Sequence, residues 1–330
     1  MKRRFFGLLL IPIVIVLFCS WGFLVHRTVN QLAIYKLPKS IQPFFYRHMD
    51  YLVENSTRPD TRRNTDSMEA TRHFIDLEVY GDSAAWKMPA TWEDAVKIFS
   101  EDTLLKYGYV PYHIITIKNK LTQAFRMRNK DSILFYAADL GHYIGDANVP
   151  LHTTLNYDGQ LTDQKGLHSL WESMVPEIEL DQYSLYSRHN ATYLADPEAA
   201  IWKVIRWSYT LTKDVFEQET EATKDFTDST KYRTQVRNGR TVKSYTSAFA
   251  KAYSKRLGKT INEQLLSSSN LIADFWYTAW VDAGKPDLSD LSSTPFMKED
   301  KKILKAEKKS YRKNELLQKK LLIARKKVRE

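Results

Sequence analysis

From Trp21 to about Leu288 apolar residues recur at spacings of three and four, the interval that places them on one stripe of an α-helix. The period is clear in RTVNQLAIYKL (27–37), TWEDAVKIF (91–99), PYHIITIKNKLTQAF (111–125), DSILFYAADLGHYIGDA (131–147) and SNLIADFWYTAWVDA (269–283). Strand-like alternation is scarce. Prolines at 38, 43, 59, 89, 111, 150, 176 and 197 fall at the joints, where they stop helices or begin them. The segment NYDGQLTDQKG (156–166) reads as a turn-rich loop, and no internal repeat is visible. The pattern predicts a mainly α, single-domain multi-helix bundle over 21–288.

The two ends break the pattern. MKRR followed by the apolar run Phe5 to Phe18 is too short for a comfortable transmembrane helix and has the layout of a secretory signal, which predicts removal of residues 1–20 and export to the periplasm or the exterior. A cut after Ser20 puts Phe18 where a small residue is preferred, so an uncleaved anchor that tethers the chain to a membrane is the alternative. Cys19 is the one cysteine in the sequence. A mature chain without it has neither disulfides nor thiolate zinc ligands, so any metal must be held by His, Asp and Glu.

After GKPDLSDLSSTP (284–295) the composition turns lysine-rich, marking 289–330 as a linker and basic C-terminal extension. The formal charge of +10 is uneven: Lys2, Arg3 and Arg4 supply +3 and residues 298–330 supply +9, which leaves 21–297 at −2. The basic balance therefore describes the extension and not the body. Its lysine density predicts an exposed or conditionally ordered segment, read either as a solvated face or as an attachment to an acidic surface such as lipid or nucleic acid.

Candidate chemistry concentrates in DLGHYIGDANVPLH (139–152). His142 and Asp146, four apart, share a helix face, and Val149-Pro150 ends the helix so that His152 returns beside it. GLHSLWES repeats the pairing with His168 and Glu172. Asp60 in RPD, His73 in RHFIDLE and His26, five residues after Trp21, extend the set, leaving His48, His113 and His189 as structural histidines.

The order Trp, His, Asp, His, His-x-x-x-Asp, His, His-x-x-x-Glu from Trp21 to Glu172 resembles the trinuclear zinc signature of the zinc-dependent phospholipase C and single-strand-specific nuclease superfamily. The resemblance implies an α-helical phospholipase C/nuclease bundle with a metal cluster at the base of a cleft and three Zn²⁺ per chain. It implies that Asp60, His73, His142 and Asp146 hold one ion, that Trp21, through a free terminal amine, with His26 and bridging Asp146 holds a second, and that His152, His168 and Glu172 hold the third. It further implies a hydrolase of phosphate esters in which Asp60 orients the attacking water. Phe74 and Asp76 in HFID resemble a base pocket, which favours single-stranded nucleic acid or 3′-nucleotides as substrate. Glu172 and the short step from His152 to His168 resemble the phospholipase branch, which keeps phospholipid head groups as the alternative. An idle metal-binding protein is the third reading, and the complete ligand set argues against it.

Overall fold

The computed structural model of the chain describes residues 22–237, 240–291 and 295–325. Within them the mainly α architecture is present: Phe23–Lys36, Val110–Arg126, Lys130–Ala147, Pro197–Thr223 and Thr260–Asp282 are the long helices around one apolar core. Trp21 and the leader 1–20, on which the export reading and one implied ligand fall, lie outside the described residues. Among the described residues no helix is long and apolar enough to cross a membrane.

Lys130–Ala147 is the helix on which the others converge. It starts where the Asn129 side chain accepts the Ser132 N–H at 2.9 Å, and it ends before Val149 and Pro150, which cannot continue it. Its last turns, from Ala137 to Ala147, are buried residue by residue, so this is a central helix and not a surface stripe. Two glycines let Phe23–Lys36 cross it closely. A Cβ on Gly141 would lie 2.0 Å from Asn30 Oδ1, and one on Gly145 would lie 2.8 Å from His26 Nδ1. Glycine inside a helix costs about 0.5–1 kcal/mol relative to alanine. Here that cost permits the approach that sets His26 beside Asp146. On another side Trp276, from Thr260–Asp282, donates its indole N–H to Ala137 O at 3.0 Å and stacks on Phe45.

Three features depart from the sequence expectations. The longest described helix, Pro197–Thr223, is not among the segments picked out by period; it is announced by Asp196, whose side chain caps the Ala199 N–H at 2.8 Å, and by Pro197 in its first turn. A hairpin also occurs, with Tyr232–Arg237 antiparallel to Arg240–Tyr245 and Tyr232 opposite Tyr245. Its sequence signal is Asn238-Gly239 between the strands.

The third departure is a correction: the basic extension is not a free tail. Helix Lys298–Arg312 and the turns after it dock on Phe23–Lys36 through buried Leu304, Tyr311, Leu316 and Leu322. Polar contacts fix the register. Gln31 donates to Leu321 O and accepts from Ile323 N–H, both at 2.8 Å, Arg47 pairs with Asp300 at 2.8 Å, and Lys36 Nζ donates to Tyr311 Oη at 2.5 Å. Burial pushes the Lys36 ammonium down to about 7, with Asp274 only partly opposing.

This docking predicts that Tyr311→Ala costs about 3 kcal/mol, because it empties a packed aromatic site and strips a hydrogen-bond partner from a buried lysine. Urea unfolding reads it. An unchanged midpoint would mean that the extension does not contribute to the folded core.

Candidate metal centre

Three groups of ligand-type side chains meet beside the buried end of Lys130–Ala147: His26 with His142 and Asp146, Asp60 with His73 and His142, and His152 with His168 and Glu172. Within each group the ligand atoms lie within 4.8 Å of one another. All eight described members of the implied ligand set are therefore brought together. His48, His113 and His189 stand apart, packed on Phe44, on Tyr143 and against Asp274. Gly22, next to the undescribed Trp21, lies so close to the cluster that a Cβ on it would be 3.0 Å from Glu172 Oε1.

Each position has a local cause. His142 and Asp146 face the same way from one helix, with Nε2 3.2 Å from Oδ2. His152 follows Pro150 in a short 3₁₀ turn, which is held against the His73 segment from both sides: His152 Nδ1 meets His73 O at 2.7 Å, and Ile75 N–H donates to His152 O at 2.9 Å. His168 and Glu172 sit where the helix widens from an α turn, Leu167–Ser169, into a π turn, Leu170–Met174, and their Nε2 and Oε2 are 2.7 Å apart. Asp60 comes from the short helix Arg58–Arg62 and is 26% exposed, 3.8 Å from His73 Nδ1 and 3.9 Å from His142 Nε2.

Asp146 is the hub, 1% exposed. Its Oδ2 faces His73 Nδ1 at 2.9 Å and His142 Nε2, whereas its Oδ1 faces His26 Nε2 at 3.4 Å and His152 Nδ1 at 3.8 Å. Oδ2 is buried yet accepts no hydrogen bond. The reason lies in the tautomers. His142 Nδ1 is 2.8 Å from Ser56 O, an atom that can only accept, so the ring proton sits on Nδ1. Burial lowers the pKa of His142, so the ring is neutral and Nε2 presents a bare lone pair to a carboxylate oxygen. Two lone pairs at 3.2 Å repel unless a cation lies between them. Nitrogen and oxygen donors without sulfur suit Zn²⁺, and the residues present fit that ion.

The charges point the same way. Burial alone would raise Asp146 and Glu172, but His142, His152 and His73 around the first, and His152, His168 and His26 around the second, hold both well below the usual carboxylate range. Burial would lower His26, yet Glu172, Asp146 and Asp60 bring it up to about 9.

Glu69 is the residue that sequence reasoning missed. It is 0% exposed and takes hydrogen bonds from Arg62 Nε at 2.9 Å, from Arg72 and from the Tyr143 hydroxyl, while its Oε1 lies 3.4 Å from His73 Nε2. His73 thus turns Nε2 to a carboxylate and Nδ1 to Asp146, the reverse of His142 and His152, which spend Nδ1 on backbone carbonyls. Arg62 also reaches Asp139 at 3.0 Å, and Arg58 joins it there. The available signal was the spacing: Glu69 stands four residues before His73.

Phe74 is half-buried and stays out of the apolar core, with Gly108 packed on it so tightly that a Cβ there would lie 2.6 Å from Phe74 Cδ2. Asp76 is buried. Burial, reinforced by Glu78, pushes its carboxyl up to about 7.

Glu69→Gln is expected to lower zinc affinity roughly ten- to hundred-fold, the usual effect of losing the carboxylate behind a metal-binding imidazole. Zinc retained against graded chelator measures it. Wild-type retention would remove Glu69 from any role in orienting His73.

The S1/P1 nuclease family model matches residues 21–275. Among solved structures, the alpha toxin of Clostridium absonum is similar over 81% of this chain and 66% of its own, at 14% identity and a TM-score of 0.48. An alpha-toxin of Clostridium perfringens from an avian strain is similar over 83% and 66%, at 14% identity and a TM-score of 0.47. The chain thus spans just under two thirds of the length of those toxins. No curated protein matches. With the family model covering most of its length, the chain belongs to the S1/P1 nuclease family, a family of zinc-dependent hydrolases that act on ester bonds.

Proposed function

We propose that the chain is an exported phosphodiesterase that cuts single-stranded nucleic acid or releases phosphate from 3′-nucleotides. The observation that carries the reading is the buried Asp146 carboxylate, which meets four imidazoles and whose Oδ2 faces the bare Nε2 of His142 with no hydrogen bond to satisfy it. Three Zn²⁺ fit the three groups: one at Asp60, His73, His142 and Asp146, a second at His26, Asp146 and the amine of a chain beginning at Trp21, and a third at His152, His168 and Glu172. The contact of Gly22 with Glu172 supports a mature N-terminus at that place. Bound there, the ions bring the pKa of water toward about 7 and neutralise charge building on phosphate oxygens.

The chain's own groups supply the rest. Asp60, the most open carboxylate among the eight ligands, orients the attacking water. Arg63, 3.3 Å from Asp60 and with its side chain 42% exposed, places a permanent cation where a phosphodiester would enter. Half-buried Phe74 offers a ring face to a base, and Asp76 beside it offers a carboxylate to the base edge.

His142→Ala and Asp146→Ala are each expected to abolish turnover and to lower the melting temperature together, since ions that cross-link distant helices contribute to folding. Metal analysis of the purified mature protein is expected to give about three zinc ions per chain, with ligands of the kind zinc prefers. A fully active protein with one zinc would overturn the assignment.

Phe74→Ala and Asp76→Asn are expected to weaken nucleotide hydrolysis by about 1–3 kcal/mol in kcat/KM while leaving a generic aryl phosphodiester unaffected. Asp76 adds a pH signature. A carboxyl raised to about 7 is a charged, two-oxygen acceptor for the donors of a base edge only above that pH. The preference for nucleotide over aryl ester should therefore fall as pH drops through about 7 in the wild type, and stay flat in Asp76→Asn. Equal losses on both substrates, with turnover of phosphatidylcholine, would move the assignment to phospholipid head groups.

A further inference from the structure

The basic extension lies beyond the residues that the family model matches, and nothing in the metal centre uses it. Residues 298–325 hold 11 Lys or Arg against 4 Asp or Glu, beside a body that is slightly acidic. Docking sorts these charges. Asp300 pairs with Arg47 and Glu307 accepts from the Tyr35 hydroxyl, so half of the acids are turned toward the body. Lys298, Lys301, Lys302, Lys305, Lys309 and Arg312 are exposed on the outer face of the helix. A helix rises 1.5 Å per residue, so these cations line a rigid ridge roughly 21 Å long.

We propose that this ridge binds the phosphate backbone of single-stranded nucleic acid, independently of sequence, and holds a polymeric substrate while its end or a neighbouring segment is cut at the metal centre. The inference rests on the nuclease reading. A ridge roughly 21 Å long spans about six phosphates of a stacked strand, whose phosphates rise about 3.4 Å apart. Lysine provides hydrated point charges suited to phosphate, and no aromatic side chain is exposed on this face among the described residues, so attraction is electrostatic and carries no base preference. A lipid surface is the poorer fit. Helices that lie in a membrane interface bury an apolar face there, but Leu304 and Tyr311 are already buried against the protein, and exposed Met297 and Ile303 do not make a face. The extension is also joined to the metal centre: the ridge helix rests on Tyr35 and Lys36 at the end of Phe23–Lys36, the helix that carries His26, and Arg325, thirteen residues past the ridge, donates to Glu177 O, five residues beyond Glu172.

The test uses the zinc-loaded protein, a hydrolysis-resistant phosphorothioate 30-mer, and a variant combining Lys298→Gln, Lys301→Gln, Lys302→Gln, Lys305→Gln and Lys309→Gln, with the five Lys→Arg changes as the charge-preserving control. Affinity of the glutamine variant at low salt is expected to fall at least tenfold, and its log–log salt slope to flatten by roughly 3.5, the value for about five released counterions on a single strand. KM for long single strands should rise by a similar factor, with kcat on them and kcat/KM on a 3′-mononucleotide unchanged, and the arginine variant should behave as wild type. Unchanged strand affinity and slope would overturn the proposal. So would loss of binding to phosphatidylserine vesicles with strand binding intact, which would assign the ridge to lipid. Should the wild type fail to cleave nucleic acid, the nuclease reading falls, but lysine-dependent binding of the 30-mer would still uphold the ridge.

Discussion

A carboxylate buried among imidazoles, one of which turns a bare lone pair to it, is the constraint around which this fold is arranged. Asp146 cannot be satisfied by His142, because Ser56 O already takes the one proton that ring has to give. Hydrogen bonding inside the cluster is thus incomplete by construction, and the deficit has the sign and geometry that a cation fills. The surrounding structure then has one task, which is to hold groups that repel one another. It does so with backbone carbonyls behind His142 and His152, with Glu69 behind His73, and with arginines that neutralise Glu69 and Asp139 in turn. Removing a charge from that outer ring would leave its partner buried and unpaired, so the ring is stiff for an electrostatic reason.

Glycine makes the crossing that delivers His26. Gly141 and Gly145 each stand one residue before a ligand-type side chain of the same helix, so one face receives Phe23–Lys36 at backbone distance while the adjacent face carries His142 and Asp146. A methyl group at either glycine would push the N-terminal helix away and take His26 with it. Since Gly22 lies against Glu172 at the start of that same helix, its placement also determines where the preceding residue can reach.

These geometric facts explain what could be read from the chain beforehand. His142 with Asp146, and His168 with Glu172, were legible because helical spacing is a property of sequence, and His152 because Pro150 forces the turn that returns it. The π turn beneath Glu172 was not legible, although it leaves the pair in contact. Ser56 and His73 act through main-chain carbonyls, which carry no residue signal at all. Glu69 had the right spacing from His73, but its role depends on Arg62, Arg72 and Tyr143 closing around it. The hairpin hid because polar and charged residues fill RTQVR and RTVKS, with a single valine in each where the eye seeks an apolar alternation, so Asn238-Gly239 stood without its usual frame. In the extension, lysine density masked the four apolar residues that dock it.

Exposure across the cluster is graded, and the grading bears on chemistry. His142, His73 and Asp146 are sealed, whereas the side chains of Asp60 and His168 are 26% and 30% exposed. Metal sites closed to solvent serve structure, and sites with an open position admit water or substrate. The sealed members are also those whose second nitrogen or neighbouring charge is fixed by the interior, so they can define positions to a fraction of an ångström. Each open member has its own neighbour, Arg63 at 3.3 Å from Asp60 and the Tyr157 carbonyl at 3.3 Å from His168 Nδ1. A single buried helix end thus provides both rigidity and access, because its two neighbours at the rim, carried on short helical turns, stay partly exposed.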